Sequence, residues 1–428
     1  MSGRLTAPYS AYHSNRSLRI DYELTRVGRG TPCGEYMRRF WHPVAISHEL
    51  DDVPLATRIL GEDLVVFRDG GGRVGVLERR CCHRGASLEY GKICERGIQC
   101  CYHGWHFDID GAILSTPPEP SSSRLKNTLF QGAYPAREYQ GLVFAYLGPP
   151  ELKPAFPTYD CYERDDISYK QYKLHSPCNW LQIRENDLDT AHAKYLHTDL
   201  FGVQVTEVYK AEPVCDWRDT PIGILSLSAR RWKGNVFVRA TDFIFPALGR
   251  FTAIEDGEGC TYLDSRAGTN SWCVPVDDEN SVTFNILEVE ENLPHEARDA
   301  FIDRQARLTE PYQIFEEGQD GSRPYGDRQR APGDWDAWVS QGPISLRERD
   351  HLASSDRGVV MLRRQLLEGI RAVENGLDPK GVFRTLDRPL KLYSHSTVAP
   401  LEQASSESED LERCQAFMDE SVSALLED

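Results

Sequence analysis

No stretch of eighteen apolar residues occurs in the 428-residue chain, and Met1 to Ile20 mixes Arg, Ser, Tyr and His without the apolar block of a secretion signal. A membrane-spanning helix is therefore not expected, and the cytoplasm is the expected setting. An excess of positive charge is also missing, because 49 Lys and Arg stand against 66 Asp and Glu, a net −17. Binding to nucleic acid or to an anionic membrane through bulk electrostatics is not expected either. There is no internal repeat, and the one biased stretch is Ser405 to Asp410. What is present is a 40% hydrophobic composition with 27% charged residues, enough apolar material for true cores and a length that suits two or three domains.

The negative charge is uneven. Residues 401–428 hold −8 of the −17, and this segment reads as a solvated helical tail. Twelve cysteines in a long chain with no secretion signal point to buried thiols or metal ligands rather than disulfides. Their placement favours ligands: Cys81, Cys82, Cys94, Cys100 and Cys101 crowd the segment from Cys81 to His103, and the others are scattered singly.

Along the chain, Tyr36, Met37 and Phe40 suggest a short amphipathic helix within Thr25–Pro43, after the Gly- and Pro-rich Gly28–Gly34. Short β-branched or alternating runs follow at Thr57–Leu60, Leu64–Arg68 and Val74–Leu77, with Gly70-Gly71-Gly72 as a hairpin signal. A hairpin is expected around Asp110-Gly111 within Phe107–Ile113, and a strand over Gly141–Leu147. Gly148-Pro149-Pro150, Pro154 and Pro157 then mark a boundary near residue 155. The expected division is a helical segment 1–40, a small β domain 41–155 and a larger domain 156–428. In the last, strands at Val236–Ala240 and Ser281–Leu287 mix with helices at Glu185–His197, Pro294–Leu308 and Asp356–Asn375. Val359, Val360, Leu366, Leu367, Ile370 and Val373 form one face of the last helix, and Gly376 is placed to end it.

Cys81-Cys82-His83 and, sixteen residues on, Cys100-Cys101-Tyr102-His103 form Cys-x-His and Cys-x2-His halves at loop tips. Two thiolates and two imidazoles suit zinc, but zinc-finger halves usually pair like with like. A [2Fe-2S] cluster fits better, one iron taking both cysteines and the other both histidines. Cys101 could stand in for Cys100. A second string, Asp189-x2-His192-x4-His197, follows Asn179-Trp180. Asp189 and His192 share a helical face, but His192 and His197 lie about 140° apart on an ideal helix, so the helix must distort or end for both to meet one metal. A non-haem iron oxygenase needs two histidines and a carboxylate.

The segments Cys81-Cys82-His83-Arg84-Gly85-Ala86-Ser87-Leu88 and Cys100-Cys101-Tyr102-His103-Gly104-Trp105 resemble the cluster loops of Rieske oxygenases, and Asn179–His197 resembles their iron-binding stretch. The order of motifs matches over residues about 25 to 375, and the phthalate-dioxygenase-like branch is the one most resembled. That resemblance implies an α+β chain, an all-β Rieske domain followed by a helix-grip catalytic domain. It implies Cys81, His83, Cys100 and His103 as cluster ligands, with Cys82 and Cys101 as packing residues. At the mononuclear iron it implies His192 and His197, with the third ligand downstream in Asp334-Trp335-Asp336, read as Asp334 with Asp336 as the runner-up. Asp189 becomes a bridge from a cluster histidine, His103, to His192, and Asn186 either hydrogen-bonds near the iron or is a buried amide fixing the helix.

The implied assembly is a ring-shaped homotrimer in which the cluster of one subunit faces the iron of its neighbour. The implied co-substrate is O2, with two electrons drawn ultimately from NAD(P)H through a ferredoxin or reductase. A basic stretch, Arg79, Arg80, Arg84, Lys92 and Arg96, is the candidate surface for that donor, against ordinary surface charge. The expected reaction is monooxygenation of an aromatic acid, chiefly O-demethylation of a methoxylated, lignin-type compound, with ring hydroxylation or cis-dihydroxylation of a phthalate-like carboxylate as the alternative. Arg230, Arg231 and Arg239 are the candidates for a substrate carboxylate. A Rieske electron carrier would lack the second site, and a zinc-stabilised binding module would be colourless.

Overall fold

The structure is a computed structural model of the chain and describes residues 8–9, 21–252, 255–257, 260–262, 268–290 and 321–427. The helix expected at Pro294–Leu308 lies outside the described residues. No helix among the described residues is long and apolar enough to cross a membrane.

Asp21 caps a single turn, Tyr22–Thr25 (α1), and Thr31 caps Pro32–Met37 (α2), its hydroxyl accepting from Gly34 N–H. The helix expected within Thr25–Pro43 is thus shorter and starts inside the Gly- and Pro-rich stretch, because Pro32 sits at the first helical position, where its missing N–H costs nothing. It ends before Trp41, which opens a strand.

The first lobe is built of short antiparallel strands: Trp41–Ile46 (β1), Leu55–Ile59 (β2), Glu62–Arg68 (β3), Val74–Glu78 (β4), Lys92–Ile93 (β5), Ile98–Gln99 (β6), His106–Phe107 (β7), Ile113–Ser115 (β8), Ala133–Tyr134 (β9), Ala136–Tyr139 (β10) and Leu142–Tyr146 (β11). They form three sheets, β1-β11-β10, β2-β3-β4-β9 and β5-β6-β7-β8. β3 and β4 pair across the glycine triplet, and β7 and β8 across Asp110-Gly111, where the sequence places hairpins. Val65, Phe67, Leu77, Ile98, Trp105 and Phe107 make a small core that also contains Cys81 and Cys100.

The second lobe is organised around one large antiparallel sheet. Its strands are Ile167–Ser176 (β12), Val214–Asp219 (β13), Gly223–Trp232 (β14), Asn235–Ile244 (β15) and Leu248–Thr252 (β16); then, after a small hairpin of Glu255–Gly257 (β17) and Cys260–Tyr262 (β18), Gly268–Pro275 (β19), Ser281–Glu290 (β20) and His395–Pro400 (β21). The order is β12-β20-β19-β16-β15-β14-β13, with β21 pairing the first half of β15 and β16 its end. Helices in chain order are Leu125–Thr128 (α3), Trp180–Asp187 (α4), His192–Lys194 (α5), Tyr325–Arg330 (α6), Asp334–Val339 (α7), Arg357–Glu374 (α8) and Glu407–Glu427 (α9).

Period-2 patterning gives this sheet two unlike faces. Along β14, Leu225, Leu227 and Ala229 point to one side with Val236, Val238 and Ala240 of β15, and they pack against Cys414, Met418 and Val422 of α9. Ser226, Ser228 and Arg230 point to the other side and line a cavity. The acidic C-terminus is therefore docked and not merely solvated: Asp410 accepts from Arg231, Asp419 pairs with Arg218, and the apolar stripe of α9 is buried behind the cavity wall. On the other face lies α4, whose Asn179 cap accepts from Leu181 N–H while its Nδ2 donates to Thr25 O and Asp278 O. Gly249 of β16 lets α4 come close, since a Cβ there would stand 2.9 Å from Arg184 Nη1 and from Asp187 Oδ2.

On α8, Val359, Leu366, Ile370 and Val373 are buried as expected, but Val360 is 48% exposed and Leu362 takes its place inside, one turn from Leu366. Helical rotation of about 100° per residue carries Val360 off the stripe. Replacing the fully buried Met418 by Ala is expected to cost about 2–5 kcal/mol and to lower the thermal midpoint, whereas Leu411→Ala on the exposed side of α9 leaves it unchanged; equal midpoints would mean that α9 does not dock in solution.

Candidate metal centres and cavity

The two cysteine-histidine loops share one backbone design. In each, the cysteine N–H bonds the carbonyl five residues on (Ala86, 2.9 Å; Trp105, 2.8 Å), and a glycine four residues on returns a bond to the cysteine carbonyl (Gly85, 2.8 Å; Gly104, 3.0 Å). Both glycines are left-handed, with φ +75° and +73°, a region L side chains rarely adopt. The repeat puts Cys81 and Cys100 in equivalent, buried places. Cys82 and Cys101, expected as packing residues, are exposed, because each follows the first residue of its turn on the outward side. The rings of His83 and His103 lie 4.6 Å apart, and His83 stacks on Trp105 at 4.5 Å. Burial pushes the Cys81 thiol up to about 12, with Cys100 adding to the rise, so thiolate forms here only when a metal compensates its charge. Two adjoining sulfurs beside two paired imidazoles suit a [2Fe-2S] cluster with mixed ligation.

The segment expected as one helix over Glu185–His197 is broken. α4 ends at Asp187, and the Leu188 carbonyl is taken by Trp217 Nε1 at 3.0 Å. Asp189 Oδ1 then accepts from Ala191 N–H and His192 N–H, capping a new start. From Tyr195 to Asp199 the backbone widens into a π turn, Leu200 N–H bonding Tyr195 O five residues back. The wider turn rotates less per residue and returns His197 to the face of His192, their rings 5.4 Å apart.

Asp334, the first residue of α7, closes the site. His192 Nε2 stands 3.5 Å from Asp334 Oδ1, and His197 Nε2 stands 3.4 Å from Oδ2. These three residues offer ligand atoms all within 4.8 Å of one another. His192 Nδ1 is held by the Asp189 carbonyl and His197 Nδ1 by Gln204 Oε1, so each ring keeps its Nε2 lone pair for the shared point. Asn186 Nδ2 lies 3.5 Å from Asp334 Oδ1. Asp336, the runner-up, faces away and is used by Arg323, Arg328 and the N–H of Gly333. Two imidazoles and a carboxylate on one side suit a non-haem iron with open positions. Beneath them, burial pushes the Asp187 carboxyl up to about 7, against the lowering effect of Arg184.

The triad opens on a cavity of about 330 Å³ bounded by the sheet and by α4, with Asn186, Asp189, Tyr209, Phe251 and Leu287 also on its wall. Its floor is rich in hydroxyl and amide groups: Ser226, Thr241, Ser271, Thr283 and Asn285. Two guanidiniums stand among them. Arg230 is 2% exposed, donates to Ser228 Oγ and Thr190 O, and lies over the Tyr209 ring; Arg239 donates to the Tyr209 hydroxyl and to Thr252 O. Neither pairs with a carboxylate among the described residues, the Nε of each is buried without a partner, and burial pulls the Arg230 guanidinium below its ordinary value. Arg231 points to the opposite face and docks α9, as its neighbouring position on a strand requires. Gln204, Tyr209 and the hydroxyl floor were not singled out in the sequence, although the alternation Ser226-Leu227-Ser228-Ala229-Arg230 carries the signal of a polar strand face. In the basic stretch, Arg79 pairs with Asp63 and Glu89 and Arg96 with Asp108, leaving Arg80, Arg84 and Lys92 exposed.

Comparison with known proteins accords with this geometry. Residues 40–132 match the Rieske [2Fe-2S] domain family. The chain is 42% identical to the tert-butanol monooxygenase / tert-amyl alcohol desaturase oxygenase subunit of Aquincola tertiaricarbonis, over 81% of this chain and 76% of that protein. It is 37% identical to the phenoxybenzoate dioxygenase subunit alpha of Ectopseudomonas oleovorans (87% and 90%) and 31% identical to the 5,5'-dehydrodivanillate O-demethylase oxygenase subunit of Sphingobium sp. (85% and 82%). Among solved structures, dicamba monooxygenase bound to dicamba shares the fold, with a TM-score of 0.59 at 20% identity over 79% of this chain and 99% of that one. The chain thus belongs to the Rieske non-haem iron oxygenases, as an oxygenase subunit that carries a Rieske [2Fe-2S] cluster and a mononuclear iron and uses O2 with electrons from a partner protein.

Proposed function

We propose that this oxygenase acts on a carboxylated aromatic compound by monooxygenation, foremost the O-demethylation of a methoxylated, lignin-type acid. The observation that carries this reading is the pair Arg230 and Arg239, two guanidiniums on the cavity wall without a carboxylate partner among the described residues. A buried cation beside a half-buried one is relieved by an anion, and a substrate carboxylate supplies one bidentately. A cavity of about 330 Å³ suits a substrate of one aromatic ring. Arg239 and Arg230 would hold the acid, the hydroxyl floor would orient the ring, and the methoxy carbon would face the triad. Hydroxylation there, using one oxygen atom of O2, two electrons and two protons and releasing water, yields a hemiacetal that sheds formaldehyde.

In the same proposal His192, His197 and Asp334 hold the iron, and Cys81, Cys100, His83 and His103 hold the cluster. The bound iron supplies O2 activation, and Asp189, whose side chain is 31% exposed beside His192, carries a hydrogen bond to His103 of a neighbouring subunit in a trimer. A ferredoxin or reductase is the electron donor. A second reading, oxidation of a small tertiary alcohol, is favoured by the hydroxyl-rich floor and by the 42% identical relative.

Three measurements test the proposal. Asp334→Ala is expected to lose the mononuclear iron while keeping the cluster, and Asp336→Ala to keep both; the reverse pattern in metal analysis would make Asp336 the ligand. When aromatic acids with and without methoxy groups and tertiary alcohols are compared, turnover of the methoxylated acids is expected to give formaldehyde in step with reductant use. A cis-diol product would displace demethylation in favour of dihydroxylation, and turnover of alcohols alone would displace the carboxylate reading. Arg239→Met is expected to raise KM for acids about 10- to 100-fold with little effect on neutral analogues; equal effects on both would remove Arg239 from carboxylate recognition.

A further inference from the structure

Gln204 lies in the loop that follows the π turn and makes three hydrogen bonds to the segments that carry two members of the triad. Its backbone N–H bonds His197 O at 2.8 Å. Its side-chain Oε1 faces His197 Nδ1 at 3.2 Å, and its Nε2 donates to Pro332 O at 3.0 Å, two residues before Asp334. The amide can be oriented only one way. A backbone carbonyl accepts and never donates, so the NH2 must face Pro332 and the oxygen must face the imidazole. His197 Nδ1 must then carry the proton, which leaves the Nε2 lone pair directed at Asp334.

The two histidines differ in how this is achieved. His192 Nδ1 is fixed by a backbone carbonyl, that of Asp189, which no side-chain substitution removes. His197 depends on a side chain, and the same side chain ties the strand of backbone that delivers the carboxylate. Otherwise α7 is anchored to α4 at its far end, where Gln182 Nε2 donates to Trp338 O and Gly342 O. At the Asp334 end the Gln204 bond to Pro332 O, at 3.0 Å, is the shortest of three ties, the others being Asn186 Nδ2 to Asp334 Oδ1 and Trp335 Nε1 to His175 O, both at 3.5 Å.

We infer that Gln204 is a positioning residue that sets both the tautomer of His197 and its distance from Asp334, and so determines how tightly the mononuclear metal is held. The inference rests on His192, His197 and Asp334 being the ligands. Partners that orient a metal-ligating imidazole typically account for 10- to 100-fold in affinity.

The test uses the full-length protein with its cluster intact, stripped of mononuclear metal by a chelator and titrated with cobalt(II) alone, while the Rieske absorption is followed as a control. Gln204→Leu is expected to weaken cobalt binding about 10- to 100-fold and to shift the cobalt d–d bands, with the cluster spectrum unchanged. Gln204→Glu keeps an acceptor for His197 Nδ1 but cannot donate to Pro332, and is expected to recover part of the affinity. It also serves as the test if the leucine variant fails to fold. Wild-type affinity and bands in both Gln204 variants, with binding abolished in His197→Ala and Asp334→Ala, would overturn the role of Gln204 alone. Wild-type binding in His197→Ala and Asp334→Ala would overturn the ligand assignment and the inference with it.

Discussion

Two imidazoles five residues apart face one point only if the helix between them gives up its regular rotation, and most of the catalytic lobe follows from that constraint. The π turn at Tyr195–Asp199 supplies the rotation, and the break after Asp187 supplies a fresh start capped by Asp189. Each departure leaves backbone groups in need of partners. Trp217 takes the Leu188 carbonyl, Arg230 takes that of Thr190, and Gln204 N–H takes that of His197. Of these three residues Arg230 also lines the cavity, so the wall of the site helps to hold a locally unfavourable backbone.

The sheet beneath is one element with two tasks. Its apolar face needs a cover, which the C-terminal helix provides, and its polar face forms the cavity floor opposite the triad. The opposite directions of Arg230 and Arg231 show the division within a single strand: one guanidinium reaches the cavity, and its neighbour clamps α9 through Asp410. Charge that looks like a solvated tail in the sequence acts in the structure as the outer support of the cavity wall.

The cluster lobe reaches its geometry differently, by using the same tight turn twice. Identical bonds from Cys81 and Cys100, and a left-handed glycine in each loop, place two unequal spacings, Cys-x-His and Cys-x2-His, so that both imidazoles emerge side by side while both sulfurs stay inside the small core. Cys82 and Cys101 are the residues left outside that arrangement. Of the exposed basic residues, Arg84 sits within the first turn, whereas Arg80 and Lys92 lie outside it.

Donor type and spacing are local properties, and they were sufficient to pick out the two cysteine-histidine pairs, the two helix histidines and the hairpins at Gly70–Gly72 and Asp110-Gly111, whereas Asp334 ahead of Asp336 came from the resemblance to Rieske oxygenases. The distortion between His192 and His197 was legible as a requirement, because helical arithmetic puts them about 140° apart, but its form as a π turn was not. Nor were the burial of the acidic helix, the separation of Arg231 from Arg230 and Arg239, or the reach of Gln204 from His197 to Pro332. Each of these depends on which segment packs against which across more than a hundred residues of chain, and on which side of a strand or helix then meets solvent. Sequence alone determined which donor groups the chain carries and in what order; the tertiary structure decided which copies of each residue type share a single point in space, because only packing brings distant segments together.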